Sequence, residues 1–240
     1  MSYDLLVFDP ASAPADREAF LRWHAEHSDE RDEHEGIPSG VANPALKSWF
    51  KEIANTFPPL NGPLADEDIE NPKLTEYTGD ASLIHVAFAW SQAAEAYRTV
   101  VMLAKKHGVG FFDASGRYPT VWRPDSSDVF EVFYHFEAAD QSVSGDEPVL
   151  MHLCDVCDHL FGNLQTEGDF LGIADTANTT LQFMYHADQD HYWLEIPVPQ
   201  QGGSYGTYLS REALQALLRD LPATFQVEDF PDFRFNPWNG

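Results

Sequence analysis

The run "YDLLVFD" at residues 3–9 has the β-branched and aromatic content of a buried strand. Similar short runs recur along the chain between amphipathic helical stripes, which restricts it to a mixed α+β fold. Pro10 closes the first run, and Ser12 with Pro14 offers a helix start that places Phe20, Trp23 and His27 on one face. A second helix is predicted from Pro44 to Ile53, stopped by the prolines of "FPPLNGP". "LTEYTGD" and "SLIHVAFAW" read as strands joined at Gly79-Asp80. Ser91 is placed to cap a third helix whose Ala93, Ala96, Tyr97, Val100 and Ala104 share one stripe, with Gly108 as its C-terminal cap. "VGFFDAS" and a short strand near "TVW" complete a βααββαβ order, the ferredoxin-like split pattern with an extra helix and a trailing strand.

At 240 residues the chain exceeds the usual size of one compact domain, and "RPDSSD" at 123–128 reads as a junction. Two domains are expected, 1–125 and 126–240. The second is predicted to be α+β, with an antiparallel sheet and two helices. Its strands are "VFEVFYHFEA", "FLGIAD", "TTLQFMYH" and "HYWLEIPV", the last two forming a hairpin across "ADQD". One helix is expected through "SGDEPVLMHLCDVCDHLFG", starting at Asp146 and stopping at Gly162. The other is capped by Ser210 and carries Leu214, Leu217, Leu218 and Leu221 in register. "QQGGSYG" reads as a flexible loop and "TFQVEDF" as a returning edge strand.

Charge narrows function more than any motif does. The formal net charge is −25, and it is uneven: residues 1–125 carry 20 acids and 11 Lys plus Arg, residues 126–240 carry 19 acids and only Arg211, Arg219 and Arg234. A field of that sign repels phosphate backbones and anionic lipid and attracts cationic surfaces, so neither nucleic acid nor membrane is expected as a partner. With 43% hydrophobic and 13% aromatic residues the chain can still bury real cores. The N-terminus lacks a basic segment and reads as a strand, no window approaches the roughly 20 apolar residues of a membrane span, and two cysteines make no disulfide framework. A cytoplasmic location is expected.

Four clusters could carry chemistry. "HLCDVCDH" offers His152, Cys154, Cys157 and His159, but a single C-x-x-C lacks the second ligand pair of a zinc site. On a helix His152 would lie roughly 200° from Cys154, at about 100° per residue, so the four could not surround one ion. "HAEHSDERDEHE" at 24–35 would align His24, His27, Arg31 and His34, and an arginine within a metal face is electrostatically poor. Its acids oppose the helix macrodipole, so the helix should fray by residues 28–30, leaving a solvated end or a partner surface. "HADQDH", with His186, Asp188, Asp190 and His191, suits a turn, a divalent cation or acid–base chemistry. "QQGGSYG" matches neither a nucleophile elbow at Ser204 nor a phosphate-cradling loop. No catalytic residue, cofactor or metal ligand is assigned.

In overall character "YDLLVFDP", "FPPLNGP", "AFAWSQA", "KHGVGFFD" and "YGTYLSREALQALLRDLP" resemble the immunity proteins of bacterial toxin–immunity pairs, of the kind associated with type VI secretion and Rhs-type effectors. The resemblance implies a non-enzymatic, acidic cytoplasmic protein that occludes a cognate toxin with a cationic cleft, in the setting of bacterial competition. The candidate contacts are Glu26, Asp29, Glu30, Asp32 and Glu33; Asp66, Glu67 and Asp68; Asp188 and Asp190; and Asp229, Asp232 and Trp238. The alternatives are a small metal-dependent hydrolase built on the His/Asp clusters, and an acidic mimic or adaptor that sequesters a basic host protein.

Overall fold

A computed structural model describes residues 2–29, 41, 43–60, 64, 68, 70–188 and 191–238, the side chains of 28 and 29 excepted. The fold is mixed α+β with antiparallel sheets, and the chain divides into two compact units, Met1–Ser126 and Ser127–Gly240. Among the described residues no helix is long and apolar enough to cross a membrane.

The first unit is built around β1 (Ser2–Phe8), which pairs antiparallel with both β3 (Leu83–Ala89) and β4 (Gly110–Asp113). With β2 (Glu76–Gly79) and β5 (Val121–Trp122) the sheet order is β2-β3-β1-β4-β5. Strand alternation sends Leu6 and Phe8 to one face, where Phe20 of α1 (Arg17–Asp29) packs 4.8 Å from Phe8 and 5.3 Å from Phe112. The opposite face receives α2 (Pro44–Ile53), whose Phe50 meets Tyr77 edge-on at 5.0 Å, and α3 (Ala93–His107), whose Tyr97 meets Phe111 at 5.5 Å.

Local chemistry sets the helix ends. Asn43 Oδ1 accepts the N–H groups of Ala45 and Leu46, while Pro44 has no N–H to satisfy. Gly108 ends α3 in the left-handed conformation at φ +67°, as its place in the sequence predicts. Two expected caps are corrected. Asp16, not Ser12, caps α1 through the N–H of Ala19, because the Ser12 hydroxyl is spent on Asp9. Ser91 lies inside a 3₁₀ turn, Trp90–Gln92, and α3 starts after it with no side-chain cap because the backbone closes that turn first.

Among the described residues the second unit holds one sheet of eight strands: β6 (Val129–Phe136), β7 (Gln141–Val143), β8 (Val149–His152), β9 (Phe170–Ala174), β10 (Thr180–His186), β11 (His191–Val198), β12 (Gly203–Leu209) and β13 (Arg234–Pro237). The order is β13-β12-β11-β10-β9-β6-β7, with β8 also on β6. One face, carrying Val132, Ile173, Leu181, Phe183 and Leu194, is buried. On that side lie α5 (Arg211–Arg219), which buries Leu214 and Leu218, and a mixed helical segment. The segment is α4 (Leu153–Asp155) followed by a π turn (Val156–Leu160) and a 3₁₀ turn (Phe161–Asn163), with Phe161 5.7 Å from Tyr192.

Three expectations fail here. The helix predicted from Asp146 begins only at Leu153, because Val149–His152 fill the open edge of β6 as a strand. "QQGGSYG" is not a loop: after a 3₁₀ turn, Pro199–Gln201, and Gly202 at φ +66°, it becomes β12. The edge strand falls at Arg234–Pro237 rather than in "TFQVEDF", where Asp229 Oδ2 accepts the Gln226 N–H and closes a 3₁₀ turn instead.

Candidate partner-binding surface

Of the motif histidines, His24, His27 and His152 take structural places, and His34 with Arg31 lies outside the described residues. His24 packs its ring 4.8 Å from Phe112, and His27 packs 4.5 Å from Trp23 with Nδ1 on the Trp23 carbonyl. His152 is buried at the end of β8 with Nδ1 3.1 Å from Asp128. Cys154 is exposed and Cys157 half-buried, with burial and then the neighbouring Asp158 pushing the Cys157 thiol up from its ordinary range. Ser204 lies fully buried within β12 rather than in a loop. Among the described residues no group of three or more His, Cys, Asp or Glu is placed to hold a metal ion.

Of the expected contact residues, Glu26 on α1 and Asp68 are exposed in the first unit. In the second unit Asp188, Asp229, Asp232 and Trp238 are exposed, Trp238 to 47%. The chain ahead of Trp238 is tied down by its N–H bond to the Gly202 carbonyl at 2.9 Å. The backbone of Asp29 closes α1; Glu30, Asp32, Glu33, Asp66, Glu67 and Asp190 lie outside the described residues.

The scarcity of cations in the second unit leaves two of its buried acids to the backbone. Fully buried Asp169 accepts the N–H groups of Glu137, Gln165 and Thr166, and Asp175 those of Ala177, Thr179 and Phe225. Converging amide dipoles stabilise these carboxylates in place of ion pairs. The unit's three arginines sit elsewhere. Arg211 donates to the Tyr192 hydroxyl at 3.1 Å and covers Phe161, and Arg219 lies beside Cys157, both on the helix-bearing side. Arg234, on the edge strand β13, donates to the carbonyls of Pro231 and Phe233.

The sheet face opposite those helices carries a feature that inspection of the sequence missed. Direct cross-strand pairing lines up His135, Phe170, Met184, Trp193 and Tyr208 over five adjacent strands. Tyr208 is 46% exposed, and Phe170, Met184 and Trp193 are half-buried. Trp193 leans along the sheet: its ring occupies the space over Gly206, and its Nε1 donates to Glu195 at 2.8 Å. Carboxylates stand at both ends, with Glu137 3.4 Å from His135, and Glu167 3.4 Å from His186, whose ring is 5.7 Å from Tyr208. The available signal was parity. In "HYWLEIPV" Trp193 and Glu195 share the face opposite Tyr192, Leu194 and Ile196, with Trp193 half-buried and Glu195 buried.

Compared with known proteins, the chain matches no family model, no curated protein and no solved structure.

Proposed function

We propose that this chain is the immunity partner of a bacterial toxin of the type VI or Rhs-type class, an acidic, cytoplasmic, non-enzymatic inhibitor that binds a toxin with a cationic nucleic-acid- or nucleotide-binding cleft and occludes it. The observation that carries the proposal is how the second unit distributes its charge. Its deeply buried acids Asp169 and Asp175 are satisfied by backbone amides; of its three arginines, Arg211 and Arg219 lie on the helix side and Arg234 on the edge strand is turned to backbone carbonyls. The exposed carboxylates therefore keep their long-range field, which raises encounter rates with a cationic surface and sets its orientation. We read the first unit as a ferredoxin-like arrangement, supported by the order β2-β3-β1-β4 and by α2 and α3 sharing one face, with α1 added on the other.

The test is co-purification with the product of the adjacent upstream gene, followed by association kinetics. A 1:1 complex is expected, with an association rate that falls by about tenfold or more as salt rises from low to high ionic strength. Failure to capture that product, a salt-independent association rate, or unaided turnover of a substrate would overturn the proposal.

A further inference from the structure

We infer that the row His135, Phe170, Met184, Trp193 and Tyr208 is the surface on which this chain holds an arginine-bearing face of its partner protein, an assignment that rests on the cationic partner proposed above and gives it a place on the fold. The row crosses five strands, four steps of about 4.8 Å, and so runs for about 19 Å, the scale of the central patch of a protein interface. Tryptophan, tyrosine and methionine are the residue types that dominate such patches.

Charge complementarity selects the occupant. Glu137 and Glu167 flank the ends of the row and buried Glu195 anchors Trp193; Arg211 and Arg219 are on the opposite side of the sheet, and Arg234, opposite Gly206 on the edge strand of this face, is turned to backbone carbonyls. A planar guanidinium stacks on an aromatic face while its N–H fork reaches a neighbouring carboxylate, a combination an ammonium group matches less well. The indole of Trp193 is already held for this, seated over Gly206 and bonded to Glu195, so little ordering is left for binding.

The test measures binding of an arginine decamer and a lysine decamer by calorimetry at one ionic strength, to the parent protein and to Tyr208→Lys and Trp193→Ala. Thermal melting confirms that each variant folds. Tyr208 is exposed enough for its exchange to spare the core. The arginine decamer is expected to bind the parent about threefold or more tighter than the lysine decamer, and each variant to bind it about fivefold or more weaker than the parent. Equal affinity for the two decamers, or parent-like binding by Tyr208→Lys, overturns the assignment. If Tyr208→Lys still captures the adjacent gene product as tightly as the parent, the surface is wrong and the immunity proposal stands. If the decamer binds the row but that product is not captured, the surface stands and the immunity proposal falls.

Discussion

Asp175 Oδ2 accepts the backbone N–H of Phe225 at 2.9 Å, tying the β9–β10 turn to a loop 50 residues further along the chain. Its other oxygen serves Ala177 and Thr179, both at 2.8 Å. Asp175→Ala strands three donors at once and is expected to destabilise the protein by about 2–4 kcal/mol, because the Phe225 amide is buried and water cannot replace the lost acceptor. Asp175→Asn keeps one acceptor oxygen and should fall between parent and alanine in urea unfolding. An alanine variant within about 0.5 kcal/mol of the parent would contradict the role assigned to this carboxylate.

Arg123 provides the corresponding tie in the first unit. Its guanidinium donates to the carbonyls of Pro10, Ala13 and Pro14 and lies 5.2 Å from the Phe8 ring centroid. Lysine offers one compact donor head and no planar fork, so Arg123→Lys is expected to cost about 1–2 kcal/mol and Arg123→Ala about 2–3 kcal/mol by denaturant unfolding. Full retention of stability by the lysine variant would show that charge alone suffices there.

The elements legible in advance were those whose signal is local. β1 is a short continuous run of β-branched, aromatic and leucine side chains, β10 alternates with period two, and Gly108 can take the left-handed cap because it has no side chain. Val149, Leu150 and Met151 fit a helical stripe and a strand equally well, and only the unfilled edge of β6 decides between them. Gly203 and Gly206 read as loop residues because nothing in the sequence says that the Phe235 and Trp193 rings cover them. The charge imbalance was likewise legible by counting. The aromatic row was not, since its five members come from five strands and meet only through cross-strand register.

Asp113 gives a pH dependence of opposite sign to that of a stabilising ion pair. Burial pushes its carboxyl above the ordinary 3.8, against the N–H bonds from Gly116 and Ser115 and the Tyr3 hydroxyl. Folding therefore favours the protonated form. Its contribution is fully present below pH 3.8 and is lost as pH rises through the raised folded value. Asp113→Asn keeps an oxygen for the two amides and removes the charge. It is expected to be at least as stable as the parent at about pH 7, with the difference shrinking toward about pH 3. A difference that grows on acidification would reverse the sign and refute the reading.

Gly206 and Gly172 both underlie aromatic rings on the helix-free face, yet they are not equivalent. A Cβ on Gly206 would stand 2.5 Å from the Leu194 carbonyl oxygen, a backbone atom that cannot yield without breaking the pairing of β11 and β12. On Gly172 it would stand 2.0 Å from Phe133 Cζ, the far end of a side chain that can swing away. Gly145 is roomier, with Phe133 no closer than 3.6 Å. Gly206→Ala is therefore expected to cost about 2–3 kcal/mol, Gly172→Ala about 1–2 kcal/mol, and Gly145→Ala less than about 0.5 kcal/mol in urea unfolding. The order matters more than the sizes. If Gly206→Ala proved as stable as Gly145→Ala, the register that sets Glu195 opposite Gly206, and with it the seat of Trp193 in the aromatic row, would be wrong.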